Sequence, residues 1–76
     1  MTNTATKTNT KNAIAANIAV LYDRLRLAAD KAKEANEAMA QGEQNQAIGT
    51  ILDLERLLPE ATALYTAAIA LHRNSK

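Results

Sequence analysis

The chain contains no cysteine, no tryptophan and no phenylalanine, and it has one proline and two glycines. Without cysteine it can form neither a disulfide framework nor a thiolate zinc clip, the staples on which very small domains commonly rely. Its 76 residues lie near the size at which one hydrophobic core barely offsets the entropy of ordering the chain. Further burial, against a partner or a second copy, is therefore expected. Charge of one sign is also lacking: nine Lys and Arg against eight Asp and Glu leave a formal net charge of +1. Such a balance produces no strong field, unlike the basic excess of a dedicated nucleic-acid binder. The only aromatic residues, Tyr22 and Tyr65, are too few to stack a single strand. Nucleic-acid binding is a minority expectation on both counts.

Long apolar runs are missing too. Asn17 and Asp23 interrupt the first candidate membrane span, and Thr66 and His72 flank the last, so neither reaches the ~18 apolar residues a span requires. The opening stretch MTNTATKTNTKN has no apolar segment of the kind an export signal carries. These features lead to the expectation of a cytoplasmic protein with no membrane contact. Residues 1–11 read as a disordered tail, because threonine, asparagine and lysine offer no face to bury.

Catalytic and metal-binding patterns are equally absent. His72 is the only histidine, and the nearest acidic residue in sequence is Glu60, more than ~3 helical turns away. A metal site or an acid-base pair would need a converging partner. Asp30, Glu34 and Glu37 are interleaved with Arg26, Lys31 and Lys33 at spacings that form local ion pairs, so they read as a solvated helix face. No glycine-rich phosphate loop and no nucleophile with a basic partner at motif spacing occurs. The expectation is a protein without enzymatic activity, catalytic residues, cofactor or metal.

What is present is helix-forming. From Ala13 onward the chain is rich in Ala, Leu, Glu, Gln, Lys and Arg, which predicts an all-α fold. Asn12 can cap a first helix over about 13–41, Gly42 and its polar neighbours suit a turn at about 42–44, and a second helix covers about 45–73. Residues 12–76 thus make one helical hairpin domain. Pro59 either kinks the second helix or starts a third, since it removes an N–H and crowds a carbonyl within a helix but is welcome in a first turn.

Ile14, Ile18, Leu21, Leu25, Ala28, Ala32, Ala35 and Met39 follow an unbroken alternation of four- and three-residue steps. The same spacing runs through Ala47, Ile51, Leu54, Leu58, Ala61, Tyr65, Ala68 and His72. Such stripes predict a coiled-coil-like antiparallel seam. Folded about the turn, they set Ala35 by Ile51, Ala32 by Leu54, Ala28 by Leu58 and Leu25 by Ala61, with small facing large in each layer. Outside this seam remain Leu57, Leu64 and Leu71 in line, with Val20, Leu27 and Leu52. Two readings of these residues stand: Arg24 and Lys31 cover part of the leucine stripe with their stems, or the six form a face for other helices, in a self-associated four-helix bundle or against another protein.

The segment LYDRLRLAADKAKEANEAMAQGE, residues 21–43, resembles flagellar export chaperones of the FliS family at Leu21, Tyr22, Asp23, Ala35, Ala38, Gly42 and Glu43. That resemblance implies a helical bundle shielding an aggregation-prone export substrate. In architecture the chain is also similar to hairpin co-chaperones of type III secretion and to the Rop family of RNA-binding hairpin dimers. The leading expectation is a protein-interaction module, a small chaperone or adaptor with a protein or a second copy as partner. The alternative is a homodimeric four-helix bundle that binds nucleic acid.

Overall fold

A computed structural model describes residues 3–75, with side chains from residue 8 onward. Three helices follow in order: α1 over Asn3–Ala40, α2 over Gln44–Ile51 and α3 over Leu54–Asn74. Together α2 and α3 run back along α1, forming an antiparallel hairpin. The molecule is a rod of 63 × 14 × 13 Å, its length set by the 38 residues of α1 at ~1.5 Å each.

α1 begins well before the expected cap. Neither proline nor glycine occurs before Gly42, and each residue added to an existing helix gains a hydrogen bond while fixing only its own dihedrals. The stretch read as a tail is therefore helical from Asn3, and Asn12 lies within α1 rather than at its cap. Met1 and Thr2 lie outside the described residues. Ser75 sits beside Thr10, Lys11 and Ile14, so the first turns of α1 run past the end of α3.

The turn is fixed by backbone chemistry at Gly42, whose φ is 77°. Glu43 N–H donates to the Ala38 carbonyl at 2.9 Å and Gly42 N–H to the Met39 carbonyl at 3.0 Å. This is the Schellman arrangement, in which a left-handed residue lets the chain leave the helix while satisfying its last carbonyls. Gly49, by contrast, lies inside α2, and nothing stands within 4 Å of a methyl group added at either glycine. The two should respond with opposite signs. Gly42→Ala is expected to cost ~1–2 kcal/mol, the penalty of an L-residue in the left-handed region. Gly49→Ala should stabilise by ~0.5–1 kcal/mol through helix propensity. Urea unfolding of both variants checks this, and shifts of the same sign would contradict the turn geometry.

The second helix is broken, but at Leu52 and Asp53 rather than at Pro59, which lies inside α3. Gly49, Thr50 and Ile51 are weak helix formers, which loosens the helix just before the break. The chain answers by tightening: Asp53 N–H donates to the Thr50 carbonyl at 3.4 Å and Glu55 N–H to the Leu52 carbonyl at 3.0 Å. Leu52 and Asp53 keep right-handed helical dihedrals. The arm bends there, and both α2 and α3 stay packed along α1.

The seam differs from the expected one in a regular way. On α1 the positions turned inward are Ile14, Asn17, Leu21, Arg24, Ala28, Lys31, Ala35 and Ala38, and facing them are Ala47, Thr50, Leu54, Leu57, Ala61, Leu64, Ala68 and Leu71, all buried or half-buried. Every second residue of the expected stripes is here. The alternate ones, Ile18, Leu25, Ala32, Met39, Ile51, Leu58, Tyr65 and His72, are all exposed. Each helix is thus rotated, and the expected pairing of Ala28 with Leu58 and of Leu25 with Ala61 as closed core layers is not made, since Leu58 and Leu25 are exposed. Full burial reaches only Ala28, Ala35, Ala38, Ala47, Leu57, Ala61 and Ala68.

Candidate interaction face

The rotation leaves the hairpin with two unlike sides. One side is charged. Arg24 Nε lies 3.2 Å from Glu60 Oε1, and Lys31 Nζ lies 3.3 Å from Asp53 Oδ2, two ion pairs that tie α1 to the other arm on either side of Leu57. Along α1, Arg26 pairs with Asp23 at 3.0 Å and with Asp30 at 3.6 Å, and Lys31 reaches Glu34 at 4.0 Å, as the interleaved spacing predicts. Near the turn this side continues as a polar groove lined by Glu34, Glu37, Gln41, Glu43, Gln46 and Thr50. These exposed pairs contribute little stability individually. They fix which way each helix turns, because the stems of Arg24 and Lys31 occupy seam positions while their heads reach solvent.

The other side is apolar. In an antiparallel pair, moving one position onward from the seam turns both helices toward the same side. Leu25 of α1 and Leu58 and Tyr65 of α3 accordingly line one groove of about 460 Å³, floored by Leu21 and Ala61. Ile18 and Met39 extend this row along α1, and Ile51 extends it across the bend. Tyr22, Ile48 and Ile69, three or four residues from members of the row and so beside them on the helix surface, widen it. All nine side chains are between 36% and 70% exposed. Among the positions that form this side, from Ala15 to His72, Glu55 is the only charged residue.

The six residues expected to contact a partner lie elsewhere. Leu57 is 1% exposed, and Leu27, Leu64 and Leu71 are half-buried. Leu57, Leu64 and Leu71 lie on the inner face of the hairpin, Leu57 between the ion pairs of Arg24 and Lys31, and Leu27 borders that face on α1. The reading in which those two stems cover the leucine stripe is therefore the one the structure follows. Val20 is exposed on the charged side and Leu52 at the bend, so neither joins a common patch with the others. Tyr65, expected in the core, is exposed in the apolar row, and His72 is exposed near the end of α3. The residues of the exposed apolar side are legible in the sequence as an apolar stripe, one that the spacing alone places in the seam. The signal that separates the two is cross-chain charge: Arg24 and Lys31 have Glu60 and Asp53 at matching heights on the other arm.

Among the described residues no group of three or more His, Asp or Glu could hold a metal ion, and no helix is long and apolar enough to cross a membrane. No family model, curated protein or solved structure matches the chain.

Proposed function

We propose that the chain is a non-enzymatic interaction module of the cytoplasm, a small chaperone or adaptor that buries its apolar side against a protein partner. One observation carries this reading: nine of the eleven large exposed apolar side chains share one side of the hairpin, and from Ala15 to His72 that side holds one charged residue, with Arg73 beside Tyr65 and Ile69 at its end. Scattered exposed leucines are ordinary on a monomer, whereas large apolar side chains gathered on one side, from the turn to Ile18 and Ile69, suit a contact surface. The groove at Leu25, Leu58 and Tyr65 supplies the concave centre in which a partner's side chain finds contacts on several sides.

The test is affinity capture from the native host with the whole chain as bait, beside a Leu25→Gln/Leu58→Gln variant. The expected result is a protein retained by the parent chain and lost by the variant, with retention that changes little between low and moderate salt, since the contact is apolar. Retention that survives the double substitution and falls steeply on a log-log plot against salt would instead indicate phosphate contacts and a nucleic-acid ligand.

A further inference from the structure

Taking the apolar side as a contact surface, as proposed above, we infer that its occupant is a second copy of this chain, docked to make a four-helix assembly. The composition and extent of the exposed face carry the inference. On α1 the middle of this side is Ala32, while on the returning arm Ile51 stands at a comparable height. Small and large positions that would interlock are held side by side in one hairpin. The rotation of the helices leaves Ala32, Ile51 and Leu58 exposed. Turning a second copy half a turn about the rod's long axis lays its returning arm on α1 at the same height, antiparallel as before. Ala32 then meets Ile51 of the second copy and Leu25 meets its Leu58, so the exposed row of each copy is covered by the other.

Three further observations point the same way. The nearly uncharged face meets its own image without like-charge repulsion across its centre. Nine side chains at these exposures leave on the order of 100 Å² each, so the face approaches the ~800 Å² per partner of a standard interface. Finally, the hairpin fully buries one leucine and otherwise alanine, and a core this thin gains most from an isologous partner present at the chain's own concentration.

Sedimentation equilibrium of the full chain over low to high micromolar concentration tests this. The expected species is a dimer of the 8.2 kDa chain, with a melting temperature that rises with concentration. Leu25→Glu/Leu58→Glu should weaken association at least ~100-fold, the effect of desolvating charges without partners, whereas Lys33→Glu on the exposed outer surface should leave it unchanged. Should the double variant unfold, mixing it with Leu25→Lys/Leu58→Lys is expected to restore helicity and dimer mass, which neither chain achieves alone. A monomer at high micromolar concentration with a concentration-independent melt would overturn the second-copy assignment. If that monomer still captured a host protein through Leu25 and Leu58, the interaction reading would stand without it; if it captured none, both would fall.

Discussion

Leu57→Ala is expected to destabilise the chain by ~2–5 kcal/mol, the cost of deleting a buried leucine and leaving a partly unrelaxed void. Leu57 is the one side chain larger than alanine that the hairpin covers completely, at 1% exposure. Its neighbours give it little capacity to collapse. Arg24 and Lys31 are held across it by Glu60 and Asp53, and the backbone beside it is already committed to the bend, with Leu57 N–H donating to the Asp53 carbonyl at 3.1 Å. Leu52→Ala removes the same atoms from an exposed position at the bend and should stay within ~0.5 kcal/mol of the parent. Chemical denaturation of the two variants side by side decides the matter. Equal losses would mean that Leu57 is not the centre of the seam and that the helices are rotated differently from the arrangement described here.

That contrast also shows how far the sequence carries. The all-helical fold, the antiparallel hairpin and the turn at Gly42 follow from propensity, from spacing and from one glycine. Half of each seam follows as well: Ile14, Leu21, Ala28 and Ala35 on α1, and Ala47, Leu54, Ala61 and Ala68 on the other arm, belong to both the expected and the observed stripe. The remainder was misassigned for a physical reason. A pattern of side-chain types sends apolar residues inward, so it prefers Ile18, Leu25 and Met39 to Asn17, Arg24, Lys31 and Ala38 at the alternate positions. Yet arginine and lysine carry long aliphatic stems that can cover leucines while their charges remain solvated. With Glu60 and Asp53 placed to receive those charges, the polar stripe closes the hairpin and the more apolar one is left outside. The exposed apolar side is therefore legible in the sequence as a strip with little charge, but that it lies outside the seam becomes clear only once the other stripe is known to be occupied. The length of α1 was hidden differently, since nothing in threonine, asparagine or lysine requires a helix over residues 3–11 and nothing forbids one.

Ala47→Leu is the second large effect expected, and it probes the alanine contact at the turn. Ala47 is 2% exposed and clusters with Ala35 and Ala38. Three alanines in mutual contact let the two arms approach closely beside the turn. That turn cannot yield freely, because Ala38 is also the acceptor of the Glu43 N–H that closes the Schellman motif. Ala47 N–H in turn donates to the Glu43 carbonyl at 3.0 Å, so both walls of the contact are tied to the same residue. A leucine forced in here should overpack the site and cost ~1–3 kcal/mol, although leucine is nearly as good a helix former as alanine. Ala63→Leu makes the same exchange on the exposed surface of α3 and should lie within ~0.5 kcal/mol of the parent. Adding Ala38→Gly opens space opposite residue 47, so the pair Ala38→Gly/Ala47→Leu should lose less than the sum of its parts, with a coupling of ~0.5–3 kcal/mol. Strict additivity in that cycle would separate the two alanines and refute the register of the hairpin at its closed end.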